Sequence, residues 1–236
     1  MPGRYAILLD GGFLFKKLQR HLGTYPDATA IEHAARVIVE HPRLKPRELL
    51  RIYYYDAPPA QRKLTNPLDQ HPVDLGTTRL AKHNQQLHSA LEQRPNFALR
   101  KGETLVRGWK VGDAAFRRLV AQSGGEKRIQ ARDLVPDISQ KGVDLRIGLD
   151  IATLAFRRIV DTIVVVAGDS DLVPAFKLAR REGLRVYLVT YGHNVTSELS
   201  AHVDDMLECT FSPTNSHHPE SPSPDQEKPA WERRKV

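Results

Sequence analysis

The chain has 236 residues, of which 40% are hydrophobic and 27% charged, a composition typical of a folded globular protein. Its formal net charge of +7 favours a polyanionic partner such as nucleic acid, although the same charge could serve only to keep the protein soluble. No segment approaches the roughly 20 apolar residues that span a bilayer, and the N-terminus lacks the features of a secretory signal. The single cysteine, Cys209, excludes an intramolecular disulfide and a cysteine zinc site. These features predict a soluble, cytoplasmic protein with no membrane partner.

The N-terminal half predicts strands alternating with helices. A short apolar strand covers residues 5–10, and after Gly11-Gly12 the leucines Leu14, Leu18 and Leu22 recur at helical spacing. The pattern then predicts a helix at 28–40, a strand at 49–55, a loop at 60–75, a helix at 76–93 and extended segments at 97–100 and 104–109. Residues 111–135 show no clear pattern.

The C-terminal half is more regular. Residues 143–159 are apolar on nearly every helical face, which predicts a buried helix. The uninterrupted run at 162–167 is typical of a central parallel strand that is covered on both faces. A helix at 171–182 closed by Gly183, a strand at 184–190, a short helix at 195–202 and an edge strand at 206–209 follow. The alternation predicts an α/β fold around a central parallel sheet with helices on both faces.

The composition divides the chain into one domain and a tail. Residues 1–212 form the predicted domain, whereas residues 213–236 are rich in Pro, Ser and charged residues, have little to bury, and are predicted to be disordered. The adjacent His217-His218 pair is expected to be solvated.

Aspartates follow two of the predicted strands. Asp10 ends the first, and Asp169-Ser170-Asp171 follows the run at 162–167. In open α/β sheets the ligand site lies outside the carboxyl ends of the strands, where strand order reverses. Each aspartate also has a structural alternative, since Asp10-Gly-Gly could be a turn and the others helix caps or first-turn carboxylates.

Two more aspartates lie on the predicted helix 143–159. Asp144 stands at its start, and Asp150 within it needs a partner or a polar cavity. Two carboxylates about 4 Å apart repel by roughly 4 kcal/mol at an effective dielectric near 20, so a cluster of them favours a bound cation. Oxygen ligands alone suit Mg²⁺ or Mn²⁺. An acidic pocket in a basic protein fits a polyanionic substrate.

Three segments carry a resemblance to a known family. They are Ala6-Ile-Leu-Leu-Asp-Gly-Gly-Phe-Leu14, Gln140-Lys-Gly-Val-Asp-Leu-Arg-Ile-Gly-Leu-Asp150 and Val164-Val-Val-Ala-Gly-Asp-Ser-Asp-Leu-Val-Pro174. With the trailing strand Gly183-Leu-Arg-Val-Tyr-Leu188, their order resembles the NYN (LabA-like) branch of the PIN-domain nuclease superfamily from about residue 4 to 210.

The resemblance implies a Rossmann-like PIN fold and an Mg²⁺- or Mn²⁺-dependent ribonuclease that binds RNA. Carried over, Asp10 and Asp169 would contact the metal, and Asp144 and Asp171 would complete the acidic, catalytic cluster. The resemblance also suggests Ser170 as a supporting hydroxyl and Lys141 as a phosphate contact. Asp150 would either assist this cluster or only anchor its helix.

One departure from the family, and several alternatives, stay open. Many relatives carry an asparagine two or three residues after the first aspartate, where Gly12 and Phe13 stand here. A non-catalytic RNA-binding or regulatory module on the same fold is therefore the main alternative. A haloacid-dehalogenase phosphatase would need Asp-x-Asp after its first strand, where Asp10 is followed by two glycines. A glycosyltransferase would use Asp169-Ser-Asp171 but would not need Asp10 or Asp144.

Overall fold

The computed structural model describes residues 2–126 and 128–211. In chain order the strands are β1 (Arg4–Asp10), β2 (Glu48–Asp56), β3 (Lys63–Thr65), β4 (Pro72–Asp74), β5 (Phe97–Lys101), β6 (Glu103–Val111), β7 (Leu134–Lys141), β8 (Thr162–Val166), β9 (Arg185–Val189) and β10 (Asp205–Met206). The α-helices are α1 (Gly11–Leu22), α2 (Ala28–Val39), α3 (Arg79–Glu92), α4 (Asp113–Ala121), α5 (Val143–Phe156), α6 (Val173–Arg181) and α7 (Ser197–Ala201).

Six strands form one sheet in the order β10-β9-β8-β1-β2-β5, and every neighbouring pair is parallel. This confirms the predicted α/β fold with a central parallel sheet. The chain leaves β1 toward β2 and β5 on one side, and β8, β9 and β10 continue on the other. Strand order therefore reverses between β1 and β8, at the centre of the sheet.

Helices cover both faces of the sheet, so the protein has two apolar layers. Along β1 the side chains alternate between them, as the two-residue period of a strand requires. Ile7 and Leu9 pack with residues of α1, α2 and α3, and Ala6 and Leu8 pack with residues of α5 and α6. All four are fully buried. A large aliphatic side chain buried in this way contributes roughly 1.5–3 kcal/mol.

The prediction that the helix at 143–159 is buried all round is wrong. Ile147 and Ile151 of α5 are fully buried against the sheet, but Leu145 and Leu149 are 65% and 57% exposed. Because α5 lies in an outer layer, only the face that meets the sheet is buried. The apolar composition of its other face does not follow from packing among the described residues.

Two antiparallel hairpins lie outside the main sheet. β3 pairs with β4 within residues 60–75, where the sequence predicted only loop. β6 pairs with β7, and the segment between them, which showed no clear pattern, contains α4. β6 starts two residues after β5 ends, and β7 leads directly into α5. The second hairpin thus rises from the carboxyl edge of the sheet and returns the chain to it.

The remaining elements follow the predictions closely. A 3₁₀ turn at Ser170–Leu172 precedes α6, and Gly183 after that helix has a positive φ of 90°, which suits a glycine terminator. None of the helices within the described ranges is long and apolar enough to cross a membrane. The predicted tail at 213–236, with His217-His218, lies outside the described residues.

Candidate functional site

A cleft of about 660 Å³ opens at the carboxyl ends of β1 and β8. These two strands are direct neighbours, with Leu9 opposite Val166, so the segments that follow them meet at one edge of the sheet. This confirms the expectation that Asp10 and Asp169 follow neighbouring central strands. The cleft therefore lies where open α/β sheets bind their ligands.

Three aspartates from separate parts of the chain line this cleft. Asp10 ends β1, Asp144 lies in the first turn of α5, and Asp169 follows β8. Two lysines, Lys16 of α1 and Lys141 at the end of β7, lie at the same cleft. The remaining lining residues are Gly12, Phe13, Gln140, Gly142, Val143, Gly168, Ser170 and His193. Of the predicted site residues, Asp171 and Asp150 are not among the lining residues.

Asp10 joins the strand to the helix that follows it. Its carboxylate accepts a hydrogen bond of 3.1 Å from the backbone N–H of Phe13 and so caps the N-terminus of α1. Burial, opposed by this hydrogen bond and reinforced by the charges of Asp144 and Asp56, raises the pKa of Asp10 from 3.8 to about 6. The predicted alternative for Asp10 was a turn, and the structure instead makes it the N-cap of α1. The cap does not offset the cost of burying the ionised carboxylate.

Asp144 reaches the cleft because of the turn before α5. Gly142 has a positive φ of 73°, which lets the chain turn sharply from β7 into the helix. Burial raises the pKa of Asp144, and the negative charges of Asp169 and Asp171 add to this effect. Asp169 and Asp171 therefore lie near Asp144, and Asp171 belongs to the same electrostatic cluster although it does not line the cleft.

Asp169 also keeps a local role. Its carboxylate accepts a 3.0 Å hydrogen bond from the backbone N–H of Asp171, which caps the 3₁₀ turn. Its side chain is exposed at the cleft. Ser170 lies beside it on the lining.

Asp150 makes its contacts away from the cleft. Its Oδ2 accepts hydrogen bonds from the hydroxyl of Tyr55 at 2.8 Å and from Nε of Arg100 at 2.9 Å. Tyr55 lies on β2 and Arg100 on β5, so these bonds tie α5 to the sheet. This placement corresponds to the helix-anchoring alternative.

Asp56 and Gln140 are among the residues at the site that the sequence did not single out. Asp56, the last residue of β2, is 5% exposed, and its charge contributes to the raised pKa of Asp10. It is hydrogen-bonded to buried His88 at 2.9 Å and to Gln140 at 3.2 Å. The sequence did contain a signal for Asp56, since the strand that follows β1 along the chain also ends in an aspartate. Gln140 begins one of the segments that carry the resemblance, but its place at the cleft depends on the β6–β7 hairpin and could not be predicted from the sequence.

The donor set fits a hard divalent cation. The cleft presents carboxylate, amide and hydroxyl oxygens, and Mg²⁺ is usually held by one or two carboxylates, with water and substrate phosphate completing its shell. The raised pKa values of Asp10 and Asp144 report carboxylates that a cation would stabilise in their ionised form. Among residues 2–126 and 128–211, no three Asp, Glu, His or Cys side chains converge closely enough to form a complete ligand set.

Comparisons with known proteins match the C-terminal half most clearly. Residues 99–210 match the family model described as NYN domain, a range that includes Asp144, Asp169 and Asp171 but not Asp10. An uncharacterized protein from Methanocaldococcus jannaschii is 32% identical over 84 residues. That match covers 34% of this chain and 35% of the relative, so the chain spans about a third of that protein's length.

A solved structure gives a weaker likeness. The crystal structure of a protein of unknown function from Vibrio parahaemolyticus aligns over 87% of this chain and 92% of its own, with a TM-score of 0.48 and 15% identity.

Proposed function

The chain belongs to the NYN family through residues 99–210, and from that premise we propose that it is a divalent-metal-dependent ribonuclease. NYN domains are generally nuclease domains, which supports a nuclease-like activity on RNA. The proposed reaction is hydrolysis of RNA phosphodiester bonds in the cleft at the carboxyl ends of β1 and β8. The observation that carries the proposal is that Asp10, Asp144 and Asp169 all line that one cleft.

The proposal gives each aspartate a task. Asp10 and Asp169 hold an Mg²⁺ or Mn²⁺ ion, since both follow neighbouring strands and face the cleft. Asp144, with Asp171 beside it, completes the acidic shell or orients the attacking water by accepting its proton. The ion, when bound, stabilises the negative charge that develops on the phosphate in the transition state. Ser170 supports this shell with its hydroxyl.

Two cations prepare the cleft for a polyanion. Lys16 and Lys141 both line it and are exposed, so neither is withdrawn into the core. Ammonium groups at this position would attract RNA phosphates and keep the acidic cluster from repelling them. The net charge of +7 acts in the same direction at longer range.

The test is cleavage of labelled single-stranded and hairpin RNA in Mn²⁺, Mg²⁺ or EDTA, comparing the wild type with Asp169→Asn. We expect metal-dependent cleavage that falls at least about 100-fold in the variant, because replacing a metal ligand should cost at least as much as replacing its supporting groups. Asparagine can still accept the bond from Asp171, so the fold should be retained.

Asp69→Asn is the matched control. The carboxylate of Asp69 also accepts a 3.0 Å hydrogen bond from a backbone N–H two residues ahead, that of His71, but it lies outside the cleft. Its variant should cleave at the wild-type rate. Full activity in Asp169→Asn would refute the assignment. Absence of cleavage in the wild type, with RNA still bound, would instead identify an RNA-binding module.

A further inference from the structure

Gln140 directs its side-chain amide into the cleft from the end of β7. Its Nε2 donates a 3.2 Å hydrogen bond to Oδ1 of Asp56. Its Oε1 and Oδ1 of Asp10 both lie close to Gly12. A Cβ placed on Gly12 would lie 3.5 Å from Oδ1 of Asp10 and 3.9 Å from Oε1 of Gln140. These two oxygen acceptors thus lie near the same unfilled space, beside Gly12, which has no side chain to occupy it.

The orientation of this amide is set by Asp56. The carboxylate of Asp56 is 5% exposed and is also hydrogen-bonded to the backbone N–H of Ala57 at 2.8 Å and to Nε2 of His88 at 2.9 Å. An ionised carboxylate only accepts hydrogen bonds, so Gln140 must present its NH₂ group to Asp56. The amide oxygen is then left facing the cleft. His88 is 4% exposed and acts through Asp56 only, as a positioning residue.

We propose that Gln140 supplies a neutral oxygen ligand to the divalent cation held by Asp10, an inference that rests on the proposed function. Oδ1 of Asp10 accepts the backbone N–H of Phe13 and keeps a second lone pair, so a cation bound beside it and Oε1 of Gln140 would stabilise both oxygens. Amide carbonyl oxygens are ordinary ligands of hard cations. A neutral ligand also adds no negative charge to a cleft already lined by three carboxylates.

Gly12 has a defined part in this arrangement. Its missing side chain leaves space beside the two oxygens. An alanine there would meet both oxygens at ordinary van der Waals distance, so the helix should tolerate it while the methyl group hinders a cation from reaching them. Gly12→Ala is therefore a second variant that tests the same point without altering Gln140.

The experiment is Mn²⁺ titration by isothermal calorimetry in the absence of RNA. Gln140→Met keeps the length of the side chain and removes its oxygen, and Gln86→Met makes the same change on the exposed surface of α3. We expect the Mn²⁺ dissociation constant to rise about 10- to 100-fold in Gln140→Met and in Gly12→Ala, the range typical of altered metal surroundings. Gln86→Met should stay within about twofold of the wild type.

Asp10→Asn distinguishes a failure of the Gln140 proposal from a failure of the proposed nuclease site. Wild-type affinity in Gln140→Met and Gly12→Ala, with weakened binding in Asp10→Asn, would overturn the role of Gln140 and leave the proposed nuclease site intact. Unchanged affinity in all three variants would overturn both proposals. Circular dichroism and melting of each variant in EDTA identify any loss of fold, and Gly12→Ala decides the question if Gln140→Met does not fold.

Discussion

Asp10→Asn should stabilise the metal-free protein while removing its metal binding. In the folded protein, burial and the charges of Asp144 and Asp56 raise the pKa of Asp10 to about 6 from an ordinary value of 3.8. The ionised carboxylate is therefore a source of instability at neutral pH. Asparagine keeps the oxygen that caps α1 through Phe13, and it ranks with aspartate as a capping residue.

The magnitude follows from the pKa. A rise from 3.8 to about 6 corresponds to about 3 kcal/mol of free energy between the protonated and ionised forms. Because the folded pKa lies above the unfolded one, the wild type loses this stability as pH rises from about 4 to about 6. Asp10→Asn does not titrate, so the two proteins should be equally stable below pH 4. Above pH 6 the variant should be more stable by up to about 3 kcal/mol, or roughly 6–12 °C in Tm for a domain of this size.

The assay is thermal and urea denaturation of both proteins in EDTA between pH 3.5 and 8. Asp27→Asn is the matched control, because Asp27 caps α2 through a 2.8 Å bond from the backbone N–H of Ala30 and lies away from the cleft. Saturating Mn²⁺ should raise the Tm of the wild type but not that of Asp10→Asn. A difference between wild type and Asp10→Asn that does not change with pH would refute the reasoning, and so would a less stable variant at pH 7.5.

Three further predictions concern the cleft and its support. Cleavage in Mn²⁺ should decline below about pH 6 as Asp10 takes up a proton. Because metal and proton compete, a higher Mn²⁺ concentration should move the midpoint of the pH dependence of kcat/KM to lower pH, and a midpoint independent of Mn²⁺ would contradict this. Asp150→Asn should lower the free energy of unfolding by about 1–3 kcal/mol, because Tyr55 and Arg100 lose an ionised acceptor. Its Mn²⁺ affinity in calorimetry should be unchanged, and weakened Mn²⁺ binding would argue against an anchoring role. In EDTA, Lys141→Gln should reduce the slope of log Kd for RNA against log salt concentration by about 1, whereas the control Lys82→Gln on α3 should reduce it less. Equal slopes in the two variants would show that Lys141 is not a phosphate contact.

Local pattern was sufficient for most of the main sheet. The β-branched run of β8 and the apolar run of β1 have no reasonable alternative to buried strands, so the parallel sheet could be predicted from the sequence. The same logic located Asp10 and Asp169, because a residue that follows a central strand must emerge at its carboxyl edge. The prediction for α5 was wrong on its outer side, since composition cannot tell an outer helix with apolar residues on both faces from a fully buried one.

The sequence by itself determined the α/β class, the central strands and the acidic residues that follow two of them. Only the tertiary structure decided which side chains meet. It paired Asp56 with His88, tied Asp150 to Tyr55 and Arg100, and carried Gln140 to Asp56 by means of the β6–β7 hairpin. The physical reason is that periodicity reports which face of an element is buried, whereas contacts between residues distant in the chain depend on how strands pair and on where each connection returns.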